Sequence, residues 1–577
     1  METTSSFSDY NNPPSYESLN QPPAYDSLHQ LPPSSEIPSE ISENVPSSNS
    51  ESSNSSEISS ESSNSSEFDE KPGDWEKFQN RVNKVFHEHT SESSNSSEVS
   101  SESSNSSEVS SELPSQPAKI KLLMKDDERP LSKQEIYDKL LSYQLPHVLT
   151  LIASLDKYDA ALDGSDMGTG KTYCAVAIAA ILGYSLFVVC PLSVISTWRK
   201  VAKIFRVKVF VINYDSIKIG KYFNEFGVRE KCPYIEIIDK GEDFIWTLPA
   251  KMMLAFDEIQ KCKNPKTKNS KLLTSAKKKA KTLMLSGTVA NHPQLFASCA
   301  YVLDLCSNIR IFNLYLKTLQ HTYGDSPMIA LHKKIYPDRG HRLKIADLGD
   351  LFPKNQVIAT TYTMGDDIEK QIQEQYLILS AAIKDLKNKE ANASCVLEVR
   401  LRIRQKVEAL KILSFVEMAR DDLENDRSVA IFVNFVDSMS MLADKLGTDC
   451  LVHGQQSLSQ RDYNIEQFQS NKSRLIILQI QAGGTGISLH DIIGPDAEHP
   501  NGYPRSTIIS PPDSAENLAQ ALSRTPRANG KTPCQQRIVF CANTIEEKMA
   551  DNLQIQLNHY AQINDGKKES KINLLAR

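Results

Sequence analysis

The chain has 577 residues, 40% hydrophobic and 24% charged, too long for one ordinary domain and apolar enough to build a sizeable core. Its net charge of −7 conceals a split: residues 1–118 carry 21 Asp/Glu against 4 Lys/Arg (−17), and the rest 61 Lys/Arg against 51 Asp/Glu (+10). Ten cysteines without a CxxC pair exclude a zinc ribbon and a disulfide framework, and imply buried thiols in a reducing, intracellular compartment.

Residues 1–118 are built from Ser, Glu, Asn and Pro, with ten-residue units such as SESSNSSEVS repeated from 91 and 101. So little apolar surface does not offset ordering entropy, and a disordered acidic tail is expected. Met1–Tyr10 is polar and acidic, unlike a signal peptide. Within the tail, Pro13-Pro14-Ser-Tyr16 and Pro22-Pro23-Ala-Tyr25 open a duplicated nine-residue unit. Each is a PPxY motif and resembles the ligands of WW domains, in which a polyproline segment lies on an aromatic groove. Two copies would add avidity toward a partner with tandem WW modules. Trp75, Phe78, Val82, Val85 and Phe86 fall at helical spacing between the repeats and read either as a partner-binding helix or as a weakly helical interruption.

From Leu122 apolar strands alternate with helix-length segments, the pattern of an α/β protein with parallel sheets. Gly164-Ser-Asp-Met-Gly168-Thr169-Gly170-Lys171-Thr172 precedes a helix. Gly168 and Gly170 allow backbone N–H groups to close on phosphate oxygens, Thr169 lies between them, Lys171 reaches the outer phosphates and Thr172 ligates Mg²⁺. Ser165 stands where the general P-loop pattern has glycine. The apolar stretch Ala175–Leu192 is divided by Gly183, Tyr184 and Ser185 into a helix and a strand, so no membrane span is expected. The strand Met252–Phe256 ends in Asp257-Glu258, 86 residues after Lys171. There Asp257 is placed to hold Mg²⁺, and Glu258 to orient and deprotonate an attacking water. The eight lysines between 263 and 281 read equally as phosphate contacts or as a solvated helix face.

Further strings follow in order: Cys190-Pro-Leu-Ser-Val-Ile195 running to Trp198, Lys263-Asn-Pro265, Leu285-Ser286-Gly287-Thr288, Leu351-Phe-Pro-Lys354, Ala482-Gly-Gly484-Thr-Gly-Ile-Ser-Leu489 and Gln520-Ala-Leu-Ser-Arg524-Thr-Pro-Arg527. Together they resemble the superfamily 2 helicases, and within them the SWI/SNF-type ATPases, over about 142–549. The resemblance implies two RecA-like lobes joined by a helical segment, with ATP and Mg²⁺ in the cleft and nucleic acid, duplex DNA in preference, crossing both. It implies nucleotide contacts from Gln144 (adenine), Gly484 and Gln520. Ser286, Gly287 and Thr288 would couple nucleotide state to lobe closure, and Arg524 and Arg527 would reach the γ-phosphate from lobe two. The expected boundaries are lobe one at 119–300, a helical connector at 301–400, lobe two at 401–560 and a short basic end at 561–577. Departures are Ile259-Gln260 after the acidic pair, a last motif one residue out of step after Arg527, and Pro526, expected to perturb a helix. The implied activity is an ATP-dependent DNA translocase or helicase. The rivals are an RNA or strand-separating helicase, and a PPxY adaptor recruiting a ubiquitin ligase around a weak ATPase core. Paired PPxY motifs on so compact an ATPase resemble proteins of large DNA viruses.

Overall fold

The computed structural model describes residues 129–224, 228–238, 243–387, 393–483, 486–544 and 546–574. Gly484, the PPxY residues and the Trp75–Phe86 segment lie outside them.

In lobe one, helix α1 (Gln144–Tyr158) leads into β1 (Ala160–Asp163), and α2 (Lys171–Leu182) into β2 (Ser185–Cys190) and β3 (Val209–Asn213). Two antiparallel hairpins follow, β4 (Lys221–Phe223) with β5 (Arg229–Lys231) and β6 (Ile235–Ile238) with β7 (Asp243–Trp246). Then come β8 (Met252–Asp257), α3 (Lys268–Ser275), β9 (Thr282–Leu285), α4 (Pro327–Ile335) and β10 (Gly340–His341). The parallel sheet has the order β10-β1-β9-β8-β2-β3. Its strands are near-continuous apolar runs because both faces are covered. Alternate residues serve opposite faces: Phe187, Leu254, Phe256 and Met284 join one core, and Leu186, Val188, Met253 and Leu283 the other. The apolar stretch that the sequence divides at Gly183 is α2 and β2, with Gly183 left-handed (φ 68°) at the helix end.

Lobe two repeats this plan: β11 (Asn355–Tyr362), β12 (Ser428–Val433), β13 (Leu451–Val452), β14 (Leu475–Gln479), β15 (Arg505–Ile509), α5 (Ala515–Leu522), β16 (Cys534–Cys541) and α6 (Glu546–Asp565). Its parallel order is β11-β16-β15-β12-β14-β13. Ala430, Phe432 and Leu478 pack on one face, and Val429, Ile431 and Ile477 on the other.

The segment 301–400 holds helices, among them Phe312–Tyr323, α4 and Asp366–Lys387, and two strands beside them. β10 adds an edge to the first sheet, and β11 pairs with β16 along its whole length, from Asn355↔Cys534 to Tyr362↔Cys541. The β-branched run Val-Ile-Ala-Thr-Thr within β11 suits an edge strand better than a helix. Past residue 560, the expected end of lobe two, α6 continues to Asp565. That helix places Ala550, Leu553, Leu557 and Tyr560 in the core of lobe two and Ile563 in that of lobe one. Among the described residues no helix is long and apolar enough to cross a membrane, and nine of the ten cysteines are buried thiols.

Candidate nucleotide site between the lobes

β1 ends at Asp163 and its chain turns through the glycine-rich loop into α2. Gly168 (φ +94°) and Gly170 (φ +92°) take the left-handed backbone that side chains disfavour. Two side chains also close on these glycines: a Cβ at Gly168 would sit 2.8 Å from Arg527 Nη1, and one at Gly170 2.2 Å from Gln144 Nε2, so either would have to shift. Lys171 Nζ donates to the carbonyls of Ser165 (2.9 Å) and Asp166 (3.1 Å), while Thr172 occupies the first turn of α2. Burial lowers the Lys171 pKa, and Asp163, Glu258, Asp257 and Asp166 act against that shift. Serine at 165 has a local reason, since its Oγ accepts from Leu343 N–H at 2.9 Å and ties the loop to the β10 segment. Gln144 is buried with both ends of its amide engaged. Nε2 donates to Thr169 O at 2.9 Å, and Oε1 accepts from Leu141 N–H at 3.0 Å.

Beside the loop, β8 delivers Asp257. Trp198 Nε1–H donates to its Oδ2 at 2.9 Å, and the Glu258 N–H to its Oδ1 at 3.0 Å. Burial, and then the adjacent Glu258, push the Asp257 carboxyl up to about 7, so added positive charge is favoured there. Glu258 has a left-handed backbone (φ 53°). Its Oε2 accepts from Gln260 Nε2 at 2.5 Å, and Gln260 Oε1 accepts from Ser286 Oγ at 2.7 Å. Ser286 Oγ in turn accepts from Thr288 N–H at 2.9 Å. Gln260, which the sequence marks only as a departure, thus links the acidic pair to the 286–288 turn. Gly287 packs closely on Met167 Cγ, which a Cβ would meet at 3.0 Å, and its carbonyl accepts from Asn564 Nδ2 at 2.9 Å.

Lobe two closes the site. α5 ends at Leu522, so Arg524, Pro526 and Arg527 lie beyond the helix and Pro526 interrupts nothing. Arg524 Nη1 (3.3 Å) and Arg527 Nη2 (3.0 Å) both donate to Ile487 O. The side chain of Arg527 packs against Gly168 despite the shifted motif after it. Burial lowers Arg524 to about 10; burial and then Arg524 lower Arg527 to about 9, while Glu258 pulls both upward. Buried Arg527 Nε has no hydrogen-bond partner among the described residues. Gln520 is buried on α5, and its carbonyl accepts from Ser523 Oγ at 2.7 Å. Ser523 Oγ also lies 3.2 Å from Met167 Sδ. Of the lysine run, Lys263 pairs with Glu516 of lobe two (2.6 Å), Lys277 with Asp304 (2.8 Å) and Lys281 with Asp156 (3.0 Å). These three are therefore structural partners within the fold.

Glycines that bare their N–H groups, one ammonium, two convergent guanidinium groups and an adjacent carboxylate pair fit a magnesium nucleoside triphosphate. When bound, it supplies a transferable phosphoryl group and the cation that neutralises it. The loop and Lys171 would hold the phosphates, and Thr172 and Asp257 the metal. Glu258 would accept a proton from water, and Arg524 and Arg527 would face the charge that develops.

Below the loop, His147 Nε2 lies 3.2 Å from Asp163 Oδ2, and His147 Nδ1 lies 2.7 Å from His341 Nδ1. The His147 ring thus lies between the Asp163 carboxylate and the His341 ring. Burial, and then His147, hold His341 down at about 4. A folded-state value below the unfolded one, near 6.5, gives stability that is complete above that pH and lost as pH falls toward 4, by at most about 3 kcal/mol. Thermal unfolding followed from pH 7.5 to 4 should therefore show Tm falling most steeply in that window, and less steeply for His341→Gln. Equal slopes would mean that the ring is not held neutral.

Residues 405–529 match the family described as "Helicase conserved C-terminal domain". A candidate ATP-dependent RNA helicase of Acanthamoeba polyphaga mimivirus is 35% identical over 460 residues, covering 74% of this chain and 84% of that protein. Among solved structures, the Sulfolobus solfataricus SWI2/SNF2 ATPase core in complex with dsDNA is similar over 76% of this chain and 96% of that one, at 17% identity and a TM-score of 0.32. The same ATPase core domain without that complex covers 76% and 92%, at 20% identity and a TM-score of 0.31. By its extended identity with the viral relative, the chain belongs to the superfamily 2 helicases, a family of ATP-hydrolysing enzymes, and the motifs set out above resemble those of the SWI/SNF type within it.

Proposed function

We propose that the protein hydrolyses ATP between its lobes, with the residues assigned above, to drive movement along duplex DNA, exerting torque or displacing bound proteins. The observation that carries this reading is the packing of Arg527 from lobe two on Gly168 of the phosphate loop. Residues of both lobes then make one hydrolytic site, and the chemistry tracks their separation. The DxMGxGKT form of the loop, the Lys-Asn-Pro after the acidic pair and the AGGTGISL string support duplex DNA as the track. A second reading takes RNA as the track, favoured by the name of the mimivirus relative. The paired PPxY motifs would recruit a WW-domain partner independently of the ATPase.

The test is ATP hydrolysis by the full chain alone and with duplex DNA, single-stranded DNA or RNA. Duplex stimulation of about tenfold or more, about 1.4 kcal/mol of transition-state stabilisation, is expected. Stimulation by RNA alone would move the protein to the second reading. Absence of hydrolysis in every condition would overturn both and leave the PPxY adaptor.

A further inference from the structure

The first half of the phosphate loop is gripped from the side by the β10 segment. The N–H groups of Leu162, Gly164 and Asp166 donate to the carbonyls of Arg339 (2.9 Å), His341 (3.1 Å) and Leu343 (2.9 Å). The approach is so close that a Cβ at Gly340 would stand 2.6 Å from Leu162 O. Arg342 lies in this grip with its side chain only 10% exposed. Its Nη1 donates to Gly164 O, its Nη2 to Asp166 Oδ1 at 2.5 Å, and its Nε to Asp565 Oδ1 at 3.0 Å. The other carboxylate oxygen of Asp166 accepts from Ile345 N–H at 2.8 Å. The Asp166 carbonyl accepts from both Lys171 Nζ (3.1 Å) and Thr169 Oγ1 (2.8 Å). One guanidinium therefore joins the segment that holds the phosphate-loop lysine to the last residue of α6, a helix rooted in the other lobe.

An exposed ion pair would contribute little. A buried guanidinium that spends three N–H groups on fixed acceptors is different, because its planar fork sets orientation as well as energy. Asn564, one residue before Asp565, bonds Gly287 O, so the end of α6 meets both the phosphate loop and the 286–288 turn.

We infer that Arg342 and Asp565 are positioning residues for ATP hydrolysis. Arg342 sets the phosphate loop through Asp166, and Asp565 makes that setting depend on the docking of α6. This rests on the hydrolytic reading above, and neither residue touches the reacting atoms.

The experiment uses the full chain and its Asp565→Asn, Asp565→Glu, Arg342→Lys and Asp565→Asn/Arg342→Lys variants. Binding of a fluorescent ATP analogue, kcat and KM for ATP with saturating duplex DNA, and Tm are measured for each. Asp565→Asn is expected to keep analogue affinity within about twofold and to lower kcat about tenfold, with Asp565→Glu recovering most of it. Arg342→Lys should raise KM and lower kcat, and the double variant should be no worse than Arg342→Lys, because Asp565 acts through Arg342. Wild-type kcat in Asp565→Asn, multiplicative losses in the double variant, or losses that follow Tm alone would overturn the inference. Should Asp565→Asn fail to fold, the kcat of Asp565→Glu against that of Arg342→Lys decides in the same way. A wild-type chain that neither binds the analogue nor hydrolyses ATP would instead overturn the hydrolytic reading, and this inference with it.

Discussion

Arg527→Ala is expected to lower kcat for ATP hydrolysis by about 10³-fold or more, the usual scale for removing an arginine that faces a transferring phosphoryl group. ATP binding should change far less, because Lys171 and the glycine loop belong to lobe one and stay intact. Arg527→Lys should not rescue the loss. A lysine reaching the same place presents one compact charge instead of a planar fork, and Arg527 already uses Nη2 on Ile487 O while its side chain lies on Gly168. Single-turnover hydrolysis beside equilibrium binding of a fluorescent analogue separates the two effects. A loss of affinity matching the loss of rate would show that Arg527 holds the ground state and not the transition state.

Glu258→Gln should cost about 10²–10⁴ in kcat, the range for losing a positioned general base, with nucleotide affinity retained or raised. The substitution keeps the size of the side chain and its contact with Gln260, while removing one negative charge from beside Asp257, Arg524 and Arg527. With Glu258 neutral, a cause that lifts the Asp257 carboxyl to about 7 disappears while one nearby charge that attracts the cation is lost, so the two effects oppose each other and Mg²⁺ affinity should change little. Titration of Mg²⁺ by calorimetry with the fluorescent analogue present is the decisive measurement. A loss of metal binding as large as that of Asp257→Asn would make Glu258 a metal ligand rather than the base.

Much of this site was legible because its chemistry is carried by contiguous strings. A strand, a glycine turn and a helix place Lys171 by local geometry alone, and an apolar strand puts Asp257 at its carboxyl end. What the sequence hid are contacts between distant segments. Gln260 looks like a lapse from the family pattern until its amide is found between Glu258 and Ser286. The lysines at 263, 277 and 281 read equally as phosphate contacts or as a solvated face, but their acidic partners lie at 516, 304 and 156, where spacing gives no hint. The edge strands β10 and β11 were missed for a related reason. β10 is only two residues long and β11 is half polar, so their pairing with β1 and β16 is what reveals them as strands.

The double rooting of α6 bears on how the molecule is made. Ile563 belongs to the core of lobe one, although every strand of that lobe is encoded before residue 342. A ribosome therefore releases the first sheet while part of its packing is still to be synthesised, with all of lobe two emerging in between. Domains ordinarily fold as units during synthesis. Here the first lobe completes its core only when Ile563 arrives, so its final packing waits on the synthesis of lobe two.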